Sequence, residues 1–270
     1  MEKLEHPLWI VDVVNALLGP PVKAALEALG FHIKAEHGIV IPNYLVMVML
    51  IVAVLTVLSL IIRSRLSVEN PGKLQIVFED ALTAVINLLE EWIGPKGRSY
   101  LPLIATFGIF ILFGNYMGLI PGLMAPTSNI NVTLGCAITT WVYYHFHGVK
   151  EQGVFNYIKH FAMPPGSPAA LAPVMFVIEI ISHFSRVLSL SLRLFGNIFG
   201  EEMVILILFT LIPFLVPLPM MFLGLITGAL QAFIFVLLSI IYLQGAVAVE
   251  HHEDEHGHDA PSGRQAPAAA

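Results

Sequence analysis

Charged side chains are scarce in this sequence of 270 residues. They make up 12% of the chain, against 57% hydrophobic residues, whereas soluble globular domains carry roughly 25% charged residues. The net charge of -6 comes largely from the two ends, and the sequence has no basic cluster of the kind that binds nucleic acid. Water is therefore not the main solvent of this chain, and nucleic acid is not an expected partner.

Cysteine and the common catalytic signatures are also rare. Cys136 is the single cysteine, so the chain can form no internal disulfide and no CxxC metal site. No GxxxxGK[ST] phosphate-binding loop occurs, and the apolar runs contain no HExxH or GxSxG motif. We therefore expect no catalytic residue, metal or cofactor in this chain, and a packing role for Cys136.

Long apolar runs dominate the chain instead. A membrane-spanning helix needs about 20 such residues, and the first runs cover 44–62, 100–120 and about 130–147. Residues 76–93 mix apolar and acidic side chains, which is typical of an amphipathic helix at the membrane interface. Residues 148–171 are polar and indicate a loop outside the membrane.

The next stretch, about 172–212, is too long for a simple crossing. A continuous helix of this length would be roughly 60 Å long, twice the bilayer core, so it must tilt or break. Pro213, Pro217 and Pro219 predict a turn, after which the chain returns as an uncharged helix. The pattern predicts an all-α membrane protein with about five membrane-embedded helices, including a long tilted C-terminal hairpin over 172–249, and one interfacial helix.

These boundaries predict three parts. Residues 1–42 form an N-terminal extramembrane segment, 43–249 the integral membrane domain, and 250–270 an acidic, histidine-rich disordered tail. The first segment is interrupted by Pro20 and Pro21, so we expect the first span, and not a signal peptide, to direct insertion. Histidines and carboxylates of the tail could bind a transition metal, but a solvated tail explains them better.

Basic residues predict the orientation of the chain. They gather after the first and third spans, on the side that the positive-inside rule assigns to the cytoplasm. The N-terminus then lies outside and the C-terminus in the cytoplasm. The residues concerned are Arg63, Arg65, Lys73, Lys96, Arg98, Lys150 and Lys159.

Ionisable side chains recur within the 172–212 stretch. Such groups are costly in hydrocarbon, so a membrane helix keeps them where they face water, a partner or one another. A spacing of about seven residues places them on one stripe of a helix. The stripe consists of Glu179, Ser182, Arg186, Ser189, Arg193 and Asn197. Glu202 lies half a turn out of phase with Arg193, and Glu201 points between these directions.

The two arginines of the stripe differ in their surroundings. Glu179 and Arg186 are best interpreted as structural, satisfied by serines and neighbouring helices, and lone histidines such as His183 as packing residues. Arg193 has no acidic residue three or four positions away, so its counter-charge must come from elsewhere. Because arginine is not deprotonated in proteins, Arg193 is a fixed positive charge and never a proton carrier.

The segment SLRLFGNIFGEE, with QAFIF downstream at 231–235, resembles the signature of the ATP synthase subunit a family. PGKLQ, YLP, GLIPG and PTSNINVT continue the resemblance, which extends over about 40–245. It implies a non-catalytic, proton-conducting stator subunit with two offset half-channels, which couples ion flow to rotation and ATP synthesis. It also implies the c-subunit ring, the b subunits of the peripheral stalk and the rest of the complex as partners, in a bacterial inner membrane.

The resemblance assigns roles to particular residues. Arg193 matches the essential arginine that faces the rotating c ring, and Glu202 matches the acidic group of a proton half-channel. Asn197, Gln231 and Tyr242 match further polar positions on the hairpin.

Two positions depart from the family pattern. Some relatives have a glycine before the glutamate and a histidine seven residues before the glutamine, where this chain has Glu201 and Gly224. The pair looks exchanged, so Glu201 is expected to fill the space or polar role of the histidine. Asn129 stands where the outer loop of relatives often carries an aspartate. The sequence is compatible with either H⁺ or Na⁺ as the transported ion.

A fixed cation explains how rotation could be coupled to ion flow. At about 4 Å and an effective dielectric near 20, it favours an ionised ring carboxylate by roughly 4 kcal/mol. It also repels a proton passing directly between the half-channels, so crossing requires the ring to turn. The alternatives are a secondary transporter, which generally shows internal repeats that are missing here, and an intramembrane hydrolase, for which the apolar runs contain no motif.

Overall fold

The computed structural model describes residues 9–28, 40–120, 122–162, 171–212 and 216–247, and within them all regular structure is helical. The predicted all-α class is therefore confirmed. The helices are α1 (Trp9–Ala28), α2 (Asn43–Ser64), α3 (Lys73–Ile93), α4 (Leu101–Met117), α5 (Ile130–Gln152), α6 (Val154–Ala162), α7 (Ala172–Leu211) and α8 (Pro217–Val247). Short 3-10 helices cover Pro95–Tyr100 and Pro126–Ser128. The predicted tail, 250–270, lies outside the described residues.

Among the described residues, five helical segments are long and apolar enough to cross a membrane, judged by length and composition. Their number agrees with the sequence prediction, but their membership differs, because α1 is among them and α5 is not. The helix α5 is not among the five because its polar residues lower its mean hydropathy. Three of these residues, Thr133, Thr140 and Tyr144, point inward and are at most 3% exposed. Its low hydropathy reflects buried polar groups packed against α7 and α8.

The N-terminal segment corrects one interpretation. Pro20 and Pro21 lie inside α1 and do not interrupt it, which is possible because an internal proline removes one backbone hydrogen bond and can kink a helix without ending it. Asn15 ties α1 to the chain before α2, since its Oδ1 accepts from the backbone N–H of Val40 (3.0 Å) and of Ile41 (2.8 Å). The extramembrane placement of 1–42 stays a prediction.

The predicted loop over 148–171 is partly helical. It contains the end of α5 and the short helix α6, which packs against α5 and α7. Gly153 ends α5 at a φ of 78°, a conformation that favours glycine. The interfacial helix was predicted over 76–93, and α3 begins three residues earlier, with Glu79 and Asp80 exposed.

The C-terminal hairpin is formed by α7 and α8. The 40 residues of α7 form one unbroken helix, about 60 Å long, so it must cross a membrane obliquely. The second helix begins at Pro217, earlier than predicted. Pro217 and Pro219 occupy its first turn, where the missing N–H groups would have had no helical partner.

A central apolar cluster holds α4, α5, α7 and α8 together. Close van der Waals packing of such side chains holds helices together in a bilayer, and Cys136 belongs to the cluster at 7% exposure, which fits its packing role. The buried members are Ile111, Ala125, Cys136, Ala137, Leu190, Leu194, Ile198, Ala232 and Phe235.

Candidate functional site

Polar side chains join the two helices of the hairpin in matched pairs. Asn197 Nδ2 on α7 donates to Gln231 Oε1 on α8 (2.8 Å). Four residues further along α7 and four residues back along α8, Thr227 Oγ1 donates to Glu201 Oε2 (2.9 Å). This equal step is what two antiparallel helices in side-by-side contact produce, and it places three sequence-predicted residues in one site.

A third pair follows the same register at the other end of the hairpin. Eleven residues before Asn197 and eleven after Gln231, the guanidinium carbon of Arg186 lies 5.4 Å from the centre of the Tyr242 ring. This distance is typical of a cation–π contact. Tyr242 therefore lies far from the other hairpin residues that the sequence grouped with it.

The central apolar cluster separates these polar pairs. Leu190, Leu194 and Phe235 lie between them and are at most 1% exposed. Ser191 is also buried at this level, but its hydroxyl pairs with that of Thr133 on α5 (3.1 Å). The hairpin thus has two polar ends, which we call the Glu202 end and the Glu179 end, with an apolar block between them.

Arg193 lies at the level of this block and on its outer surface. Its side chain is exposed, and it makes no hydrogen bond or ion pair within the described part of the chain. At about 1.5 Å per residue, Glu202 lies about 14 Å away along α7 and Glu179 about 21 Å away in the other direction. A permanent charge is therefore presented between the two polar ends.

Glu201 occupies the space above Gly224. A Cβ atom on Gly224 would overlap Glu201 Oε1 and would lie 2.7 Å from its Cδ atom. The glutamate therefore fits against α8 because position 224 has no side chain, while its expected replacement of the histidine of some relatives stays a prediction.

Glu202 faces the loop between α4 and α5 instead. Its Oε1 accepts from the backbone N–H of Ala125 (2.8 Å), and it lies close to Gly118 at the end of α4. Asn129, in the same loop, caps α5 by accepting from the backbone N–H of Asn131 (3.0 Å). Asn129 thus has a local structural role.

Asn115 also belongs to the Glu202 end, although the sequence analysis did not identify it. It is 4% exposed, its Nδ2 donates to Gly228 O on α8 (3.0 Å), and its Oδ1 accepts from Thr127 Oγ1 (2.8 Å). An asparagine within an apolar run was the available signal, since such residues are retained in membrane helices where they bond to neighbouring helices.

The Glu179 end contains a polar and aromatic cluster. Glu179 Oε1 lies 3.2 Å from His183 Nε2, and His183 Nδ1 lies 2.8 Å from the hydroxyl of Tyr144 on α5. His183 is 7% exposed and Tyr144 2%. His183 is therefore part of a bonded network, whereas the sequence suggested simple packing.

The two serines of the stripe do not join this network. Ser182 is half-buried and Ser189 exposed, and neither makes a side-chain hydrogen bond within the described ranges. The predicted stripe is thus continuous in position, but its members have different partners. Groups of three or more potential metal ligands are absent from the described residues.

The chemical capacity of the site follows from these positions. Carboxylates at both ends can take up and release protons, while Arg193 cannot. Between the two ends, the facing side chains of the hairpin are apolar at Leu190, Leu194 and Phe235.

The known proteins that resemble this chain belong to one family. Residues 44–244 match the family model of the ATP synthase A chain. ATP synthase subunit a of Koribacter versatilis is 40% identical over 257 residues, covering 95% of this chain and 100% of the relative. That of Geotalea daltonii is 48% identical over 202 residues (75% and 86%), and that of Geobacter sulfurreducens is 43% identical over 246 residues (91% and 99%).

Proposed function

The chain belongs to the ATP synthase A chain family, and from this premise we propose that it is the proton-conducting stator subunit of the membrane sector of an ATP synthase. Its Glu202 end is one half-channel, its Glu179 end is the other, and Arg193 lies between them against the ring of c subunits. The chain itself is non-catalytic, and ATP is made by other subunits of the complex.

One observation carries this proposal: Arg193 is exposed and unpaired in the described chain, at the level where apolar side chains separate the two polar ends. A charge at the centre of a membrane helix costs several kcal/mol unless it finds a partner. The exposed guanidinium therefore requires an anion from another subunit. A ring carboxylate that moves past α7 satisfies this need.

The mechanism follows from the charge and the apolar block. A protonated ring carboxylate crosses lipid as a neutral group, and it ionises when it reaches Arg193, because the cation stabilises the carboxylate by roughly 4 kcal/mol at about 4 Å and an effective dielectric near 20. The released proton leaves through one polar end, and a new proton arrives from the other. Because the ends do not communicate through the hairpin, the proton crosses only by riding the ring.

We also propose the placement of the subunit in the cell. It lies in a bacterial inner membrane with its N-terminus outside and its C-terminus in the cytoplasm, so the Glu202 end opens outward and the Glu179 end inward. The distribution of basic residues supports this orientation. The c ring and the b subunits of the peripheral stalk are its direct partners.

Replacement of Arg193 tests the proposal. We expect Arg193→Ala to abolish proton-driven ATP synthesis in membrane vesicles while the complex still assembles, because the side chain makes no contact that the fold of this chain needs. Arg63→Ala, at the exposed end of α2, removes an arginine elsewhere and serves as the control. Normal synthesis by an assembled Arg193→Ala complex would refute the assignment.

A further inference from the structure

The network around His183 holds the side chain of a neighbouring acid, Glu179. Both ring nitrogens are engaged, Nε2 by Glu179 at 3.2 Å and Nδ1 by the Tyr144 hydroxyl at 2.8 Å. The tyrosine hydroxyl can donate to Nδ1, and in that tautomer of the neutral ring the proton on Nε2 faces Glu179. The imidazole ring thereby connects the Glu179 side chain of α7 to Tyr144 of α5.

The surrounding helices hold this arrangement in place. The ring of His145 on α5 lies tilted against that of His183, with ring centres 4.7 Å apart, and its Nδ1 contacts the Tyr157 hydroxyl on α6 (2.7 Å). Tyr242 on α8 contacts the Tyr144 ring and carries Arg186 of α7 over its own ring. Glu179 itself keeps a side-chain exposure of 31%, so it can exchange protons with water or a partner.

We propose that His183, oriented by Tyr144, is a positioning residue that holds Glu179 in the direction of a proton acceptor at the inner half-channel. This inference rests on the proposed function of the Glu179 end. The histidine does not carry the proton itself. Its ring lies 3.2 Å from the carboxyl group that receives the proton and limits where that group can point, as the outer partners of functional carboxylates and histidines commonly do.

Three variants of His183 and Glu179 test the inference in the assembled complex. His183→Leu should lower passive proton flux through the membrane sector about tenfold, the effect of losing one hydrogen bond to a charged group. His183→Gln should recover much of the flux, because the amide can still donate to Glu179. The double variant Glu179→Gln with His183→Leu should be no slower than Glu179→Gln alone, since His183 acts through Glu179.

A matched control separates positioning from packing. His147→Leu also replaces a histidine by leucine, but on α5, where the His147 ring contacts the rings of Tyr100 and Tyr143 and not α7. Its flux should stay within about twofold of the wild type, as expected for a residue outside the path. Assembly is measured for each variant by native gel electrophoresis, and flux is expressed per assembled complex.

The outcomes distinguish this inference from the proposed function. Normal flux in Glu179→Gln would refute the role of the Glu179 end. A slow Glu179→Gln variant beside a normal His183→Leu variant would refute only the positioning role. Equal losses in His183→Leu and His183→Gln, or additive losses in the double variant, would also contradict it.

Discussion

Replacement of Gly224 by alanine perturbs one acid of the site by adding a single methyl group. The new Cβ atom would overlap Glu201 Oε1 and would lie 2.7 Å from Glu201 Cδ and 2.9 Å from Leu119 Cδ2. Both neighbours are the ends of flexible side chains, so they can move away. We expect the helix to tolerate the change, because alanine is favoured over glycine within a helix by about 1 kcal/mol.

The functional cost of this substitution follows from the bond that it breaks. When Glu201 moves away, it loses the hydrogen bond from Thr227 (2.9 Å). A hydrogen bond to a charged group contributes about 1.5–3 kcal/mol. Since 1.36 kcal/mol corresponds to a factor of ten, proton flux should fall about tenfold or more if Glu201 lies on the path.

Passive proton flux in vesicles stripped of the soluble catalytic head measures the effect. Gly245→Ala is the matched control, since a Cβ atom added to this glycine of the same helix would enter open space. The double variant Glu201→Gly with Gly224→His should keep much of the wild-type flux, because it has the glycine and the histidine that some relatives have at these two positions. Equal flux in Gly224→Ala and Gly245→Ala would contradict a role for Glu201.

Two further substitutions address the Glu202 end. Glu202→Gln should slow proton flux less severely than Arg193→Ala, because the amide oxygen can still accept from Ala125 while water and Glu201 substitute in part. Proton flux per assembled complex ranks the two variants. A Glu202→Gln variant as inactive as Arg193→Ala would contradict this reasoning. Asn197→Leu should destabilise the complex by about 1–3 kcal/mol, since Gln231 is 2% exposed and loses its partner. Thermal unfolding in detergent measures this, and adding Gln231→Leu should recover most of the loss.

Helical periodicity predicted which residues of α7 share a face, because that depends only on the chain itself. Glu179, Arg186 and Arg193 recur every seven residues, and an unbroken helix keeps them aligned. The same reasoning predicted that Glu202 points away from Arg193. The hairpin was predictable for a similar reason, since its length, its prolines and its uncharged second half are all local features.

Contacts between helices were beyond this reasoning. The register of α7 against α8 pairs Tyr242 with Arg186, and no local pattern encodes that register. His183 had no motif around it because its partner Tyr144 lies 39 residues earlier in the chain. Similarly, α5 was correctly predicted as a helix, but its buried threonines show their role only once the partner helix is known.

The contrast between Arg186 and Arg193 bears most directly on function. The two arginines lie seven residues apart on one helix, so both meet the same kind of environment, and both would be costly to leave unpaired in a membrane. Arg186 lies over Tyr242, whereas the corresponding position opposite Arg193 is Phe235, which is fully buried in the apolar cluster. Within the described residues the chain thus gives one arginine a partner and leaves the other exposed. This difference supports the proposal that Arg193 meets an anion of a neighbouring subunit, since an arginine that served the fold alone would be expected to have a partner within the hairpin.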